Sequence, residues 1–232
     1  VATEEKSNEI TAIPQLLERI DVQDAIVTID AAGCQKTIAA KIVQGKGDYV
    51  LALKGNQEKL LHDVEFLMLG PLQDDFTGGP VSRYVEVEQG HGRLESRTCY
   101  QMTAPSYLHG RSEWKGLKTI GAAVRVYEEK GIEKRDVRYY LSSLRRNGRQ
   151  FAQAVRRHWG IENSLHWSLD MTYREDESRV RNRTFAENLS WLRRLTLGLI
   201  KQHPGKQSNI MKRRMAGWNP DFLMQVLTGK GT

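Results

Sequence analysis

A chain of 232 residues, 39% hydrophobic and 27% charged, can bury a real core as one large domain or as a domain with an insertion. No run approaches about 18 consecutive apolar residues and no charged leader precedes an apolar run, so neither a membrane span nor a secretion signal is expected. Cys34 and Cys99 are too few and too far apart for a disulfide framework or a zinc site, and a reducing cytoplasm is the plain expectation.

In chain order, Ile10, Ile13, Leu16, Leu17 and Ile20 follow helical spacing, with Ser7 or Asn8 as cap and a kink or restart at Pro14. Ala25–Asp30 reads as a buried strand and Gln35–Gln44 as a helix closed by Gly45 and Gly47. Asp48–Leu53 is a second apolar strand. Lys54-Gly55-Asn56-Gln57 then turns the chain into a helix reaching about Leu69. This alternation predicts neighbouring parallel strands in an α/β layer.

Gly70–Pro80 reads as a loop, and the period then changes to two. Val81–Glu88, Leu94–Met102, Leu117–Tyr127 and Val137–Leu144 are predicted strands, most simply antiparallel. Gln89–Arg93 and Glu128–Gly131 are their tight connections. From Gly148 onward the pattern is helical, over about 149–169, 184–202, 207–216 and 220–228. The expected segments are therefore 1–70, 71–147 and 148–232.

The net charge of +7 is unevenly spread. Residues 1–133 hold 15 Lys and Arg against 20 Asp and Glu; residues 134–232 hold 20 against 8. The arginine bias of the basic part favours phosphate geometry, so a nucleic acid is the expected partner. Basic halves also occur in ribosomal and membrane-surface proteins.

Asp30 closes a strand, where ligands of open α/β sheets bind, and Ala31-Ala32-Gly33 leave room beside it. An ordinary turn aspartate is the alternative. Glu162 shares a helix face with His158, Trp159, His166 and Leu169. It reads as a metal-holding acid, as part of a His158–Glu162–His166 metal stripe, or as a solvated ion pair. A hard divalent ion such as Mg²⁺ suits carboxylates and phosphate oxygens better than the histidine stripe does. Asp170, Glu175 and Asp176 are rivals to Glu162. Arg156 and Arg157 are phosphate ligands or exposed helix cations, and Trp159 and Trp167 are core or base-stacking residues. Lys54 and Asn56 lie in a turn that is no P-loop, with a helix cap by Asn56 as the alternative. Arg93, Glu95 and Arg97 share a strand face beside His91, and Arg174 and Arg179 lie in a loop of mixed charge.

Five segments in order, Ser7–Pro14, Ile29–Gln35, Leu51–Gln57, Gly90–Arg97 and the 157–176 run, resemble the H-repeat-associated transposases, a bacterial insertion-sequence family of the DDE type. The resemblance spans about residues 7 to 203. It implies an RNase H-like α/β core, incomplete at its N-terminus, with a mainly antiparallel β insertion and a helical C-terminal part. Asp30 matches the family's second acid and Glu162 its third, holding two Mg²⁺ or Mn²⁺ ions. Water would attack a phosphodiester at the transposon end, and the freed 3′-hydroxyl would then attack target DNA.

The resemblance further implies contacts to terminal-repeat and target DNA, assigned to Lys54, Asn56, His91, Arg93, Arg97, Arg156, Arg157, His158, Trp159, His166, Arg174 and Arg179. It also implies a homodimer in the synaptic complex, no membrane association, and a cytoplasmic, nucleoid-associated location. Two departures stand out. The family's Arg and Lys near the third acid are His158 and Leu169 here, and no Asp-Gly-Lys first-acid motif exists, Asp21 and Asp24 being poor substitutes. With Val1 as its first residue, the chain is expected to be a fragment or a processed product that is inactive alone. A DNA-binding remnant and an RNase H-fold nuclease are the alternatives.

Overall fold

Two apolar strands joined by a helix are expected side by side and parallel, and the sheet is built outward from such a pair. The computed structural model describes residues 9–73, 80–90, 93–129, 131–161 and 165–229. It falls into two compact units, Val1–His158 and Trp159–Thr232. In the first, α1 (Glu9–Leu17) leads to β1 (Ile26–Ile29), and α2 (Lys36–Gln44) carries the chain to β2 (Asp48–Leu53). β1 and β2 pair in parallel, with Ile29 opposite Leu51.

After a 3₁₀ turn at Gly55–Gln57, α3 (Glu58–Gln73) precedes four strands: β3 (Val81–Gly90), β4 (Arg93–Thr103), β5 (Thr119–Glu129) and β6 (Ile132–Ser142). These pair antiparallel with one another, and β6 pairs antiparallel with β2. The result is one six-stranded mixed sheet in the order β1-β2-β6-β5-β4-β3. The strands of residues 81–142 therefore extend the sheet begun by β1 and β2.

Alternation divides the side chains between two faces. On one face, Leu17, Ile38, Ile42, Leu60, Val64 and Met68 of α1–α3 meet Tyr49, Leu51, Leu53, Ile120 and Leu141 in the main core. The other face carries α4 (Gly148–Ile161), whose Phe151 is fully buried and meets Tyr140 edge-on at 5.6 Å between ring centroids. Gly121 makes that seat possible: a Cβ there would lie 2.6 Å from the Phe151 ring and 2.9 Å from the Tyr100 carbonyl oxygen.

The second unit consists of α5 (Trp167–Tyr173), α6 (Arg183–Gln202), α7 (Asn209–Trp218) and α8 (Pro220–Thr228). Ile200, Phe222 and Val226 form its small core. Asn182, Ser208 and Asn219 cap α6, α7 and α8 through their side-chain oxygens. Buried Lys212 has its donors satisfied locally, donating to the carbonyls of Ile200 (3.4 Å) and His203 (2.7 Å) at the end of α6.

Several boundaries differ from expectation. α1 stops at Leu17, leaving Ile20 46% exposed. α3 continues to Gln73 through Gly70 and Pro71, because Pro71 is itself buried on the packed side of the last turn. β6 begins at Ile132 rather than Val137: the exposed, polar start of this strand hides from a hydrophobic pattern but pairs fully with β5. The helix expected over 149–169 is described as α4, ending at Ile161, and α5, starting at Trp167 and running to Tyr173.

If α4 is seated through the gap at Gly121, Gly121→Ala should destabilise the fold by about 1–3 kcal/mol, the usual cost of overpacking. Urea unfolding measures this, and an unchanged midpoint would rule out the seat.

Candidate nucleic-acid and metal site

Asp30 is exposed directly beyond the carboxyl end of β1. Its Oδ1 accepts from the backbone N–H of Gly33 at 3.3 Å, which curls the Ala31–Gly33 turn around the carboxylate. Gly33 is required by packing, since a Cβ would come within 2.3 Å of Ile29 and 2.9 Å of Ile13. The turn is braced from β2: Asn56 Nδ2 donates to the Ala31 carbonyl at 2.7 Å and Gln57 Nε2 to the Cys34 carbonyl at 3.1 Å. Asn56 thus supports the Asp30 loop instead of capping a helix. Lys54 follows the end of β2 and is exposed, so both residues lie beyond carboxyl ends of the parallel pair.

Behind Asp30, Cys34 is fully buried, and desolvation, followed by the Asp30 charge, pushes its thiol up to about 12. Burial likewise pushes Cys99 up to about 12.

α4 is fastened across the second face of the sheet. At its start, Asn147 Oδ1 accepts from the Gln150 N–H (3.1 Å), Ser82 Oγ from the Gly148 N–H (3.0 Å), and buried Gln101 Oε1 from the Asn147 N–H (2.7 Å). Gln101 also donates to Thr119 Oγ1 at 2.8 Å, and that hydroxyl donates to the Leu144 carbonyl at 3.0 Å. Near the other end, His158 Nδ1 lies 3.3 Å from Thr28 Oγ1. Thr28 stands two residues before Asp30 on β1. The sequence pattern did not single it out, although a lone hydroxyl among Ile26, Val27 and Ile29 was the available signal.

The expected phosphate-binding arginines differ in availability. Arg156 pairs with Glu88, and Arg97 pairs with Glu88 (2.8 Å) and with Glu95. Glu95 also holds Arg125 at 2.7 Å. Arginine hydrogen bonds keep both carboxyls below their ordinary range, from Arg97 at Glu88 and from Arg125 at Glu95. Arg157 is exposed and meets no carboxylate among the described residues. Glu162, His91 and the side chain of Arg93 lie outside the described residues.

In the second unit, Glu175 accepts from Ser190 Oγ at 3.0 Å and lies 3.9 Å from Arg193 and 3.7 Å from Arg194. Asp170 Oδ1 accepts from the Asp176 N–H at 3.3 Å, while Asp176 is exposed. Two of the rival metal acids are therefore engaged in holding their own loop. Arg174 lies 3.6 Å from Glu177, and Arg179 is exposed. His166 is exposed and Trp159 half-buried. Trp167 is 62% exposed at the start of α5, against the core alternative. Among the described residues, no three His, Cys, Asp or Glu side chains gather as a metal cluster, and no helix is long and apolar enough to cross a membrane. Asp30 offers one hard carboxylate, the donor type Mg²⁺ or Mn²⁺ prefers, so it fits as part of a ligand set.

A mixed six-stranded sheet with helices is consistent with an RNase H-like fold. Residues 1–199 match the family described as Transposase DDE domain, and the chain belongs to that family. It is 40% identical over 232 residues to "Putative transposase YncI" of Escherichia coli O157:H7, covering 98% of this chain and 59% of that protein. It is 38% identical over 237 residues to "H repeat-associated putative transposase YhhI" of Escherichia coli strain K12, covering 100% of this chain and 62% of the relative. "Putative protein YbfL" of the same strain shows the same identity and coverage. The chain thus spans about three fifths of the length of these relatives.

With both thiols held protonated, Cys34 and Cys99 should resist a disulfide-exchange reagent at pH 8 in the folded protein and react once it is unfolded. Stability should fall as the pH rises from the ordinary thiol value of 9.0 toward 12, because the unfolded chain then loses protons that the folded chain keeps. Thiol titration with and without denaturant checks the first; fast reaction of the folded chain would contradict the burial of Cys34.

Proposed function

We propose that this chain is the greater part of a DDE transposase catalytic domain, with Asp30 and Glu162 as two of its metal-holding acids. On this reading residues 1–70 and 148–232 belong to the RNase H-like core and 71–147 to the β insertion. One observation carries it: Asp30 lies beyond β1, and Thr28 of that strand is tied to His158 of α4, four residues before Glu162 in sequence. A strand end and an approaching helix are what two distant acids need if they are to serve one site.

Metal ions bound there would stabilise the attacking and leaving oxygens of an in-line phosphoryl transfer. The residues of this chain supply position. The Gly33 N–H and the Asn56 brace hold the Asp30 carboxylate, Thr28 and His158 hold α4, and Lys54, Arg157 and Arg179 offer charge to the DNA backbone. We assign the partners as terminal-repeat and target DNA, the assembly as a homodimer in the synaptic complex, and the location as the bacterial cytoplasm at the nucleoid.

A third acid outside these 232 residues is part of this reading, because they contain no Asp-Gly-Lys motif. With two acids, ions would be held weakly and positioned poorly. The chain as it stands should bind duplex DNA carrying the element's terminal repeat, yet neither cut nor join it with Mg²⁺ or Mn²⁺. A chain extended N-terminally toward the full length of the relatives should do both, and Glu162→Ala in it should abolish both with binding retained. Efficient metal-dependent cleavage by residues 1–232 would overturn the incomplete-site reading. Cleavage without strand joining by the longer chain would favour a nuclease.

A further inference from the structure

Between α5 and α6 the chain crosses a loop holding three arginines, Arg174, Arg179 and Arg181, with Arg183 opening α6, against three acids, Glu175, Asp176 and Glu177. By composition the charges nearly cancel. By geometry they do not. Glu175 is turned to Ser190, Arg193 and Arg194 of α6, and Glu177 lies near Arg174. Arg183 takes Glu187 one turn along α6, at 3.2 Å. Asp176 is paired with neither of the two remaining arginines. Among the described residues Arg179 and Arg181 meet no carboxylate, and both are exposed while Val180 between them is half-buried.

The backbone is extended on either side of this pair, at Ser178 (φ −66°, ψ 119°) and at Asn182 (φ −71°, ψ 116°). Two residues of extended chain span about 6.6 Å. Two guanidiniums this close on long side chains can take neighbouring phosphates of one strand. Both are arginine, whose planar fork binds phosphate oxygens bidentately and stays charged at every relevant pH. The positive end of the 20-residue α6 follows immediately and adds to the same field.

We infer that Arg179 and Arg181 form a strap for the phosphate backbone of duplex DNA, on a loop whose Glu175 is turned to α6 and whose Glu177 lies against Arg174. This rests on the DNA-binding part of the reading above and deepens it: Arg181 joins the contact surface, and Arg174, Arg97 and Arg156 stand outside it as residues already paired. The half-buried Val180 pins the strap, and the Glu175 contacts with α6 take that carboxylate away from the two arginines. Phosphate contacts position a protein without reading sequence, so the strap should act alike on all duplexes.

The test is titration of the 232-residue chain onto a fluorescein-labelled duplex of arbitrary sequence, by anisotropy, across about 50 to 200 mM KCl. Each phosphate contact contributes about 0.9 to the slope of log affinity against log salt. Arg179→Gln with Arg181→Gln should therefore lower the magnitude of that slope by about 1.8, and Arg181→Gln alone by about 0.9. Arg179→Lys with Arg181→Lys, which keeps the charge but loses the fork, should retain the slope. The same double Gln change on a scrambled duplex should give the same loss. Circular dichroism of each variant separates misfolding from lost contacts, and the single and lysine variants keep the test open if the double Gln chain fails to fold. A wild-type slope that the Gln variants leave unchanged overturns the strap while leaving DNA binding intact. Absence of any salt-dependent binding by the wild-type chain overturns both.

Discussion

The fastening of α4 across the sheet is the constraint on which the first unit depends. The helix is amphipathic, but a buried apolar stripe alone would let it slide, because dispersion and hydrophobic contacts are non-directional. Directional bonds at both ends remove that freedom. Gln101, buried in β4, uses both ends of its amide, accepting from the residue that caps α4 and donating to Thr119 of β5. Leaving such an amide unsatisfied in the interior would cost about 1–3 kcal/mol, so the start of the helix is tied to two strands at once. Ten residues further, His158 meets Thr28 on the opposite edge strand. Phe151 in the Gly121 gap sets the height between these two ties.

The same arrangement explains why charge composition alone is a poor map of a binding surface. The chain has an excess of cations, but several of its arginines are structural. Arg156 of α4 pairs with Glu88 of β3, and Arg97 and Arg125 are knitted to Glu88 and Glu95 across three strands. In the register, Glu88 faces Glu95 and Arg97 faces Arg125, so like charges stand directly opposite and are relieved by reaching diagonally to the next strand and along β4. That requirement holds the arginines in the sheet. Such exposed pairs contribute little stability one by one, and their main consequence is to remove these side chains from the pool of free cations.

Much of the fold was legible in the sequence, and the failures have physical causes. The parallel β1–β2 pair, the antiparallel strands after residue 80 and the helical tail all follow from period and turn residues. The start of β6 was missed because its paired residues are polar and exposed, where hydrophobic alternation carries no signal. The end of α3 was missed because burial of Pro71 overrides its reputation as a breaker. Asp30 could be found because a strand end is a local feature. Thr28 and Glu88 could not, since their partners lie 130 and 68 residues away and only the register brings them together.

The loop before α6 carries this reasoning one step further. Acids that neighbour arginines in sequence do not necessarily neutralise them, because a short 3₁₀ turn can point a carboxylate back into its own unit while nearby arginines stay exposed. Glu175 does this through three partners on α6, and the left-handed backbone of Arg174 (φ 53°) is the bend that lets the turn double back. Cations held in the sheet give that unit its shape, whereas cations on an extended, acid-free stretch remain for a polyanion. The two kinds look identical in a composition count, and only the path of the backbone separates them.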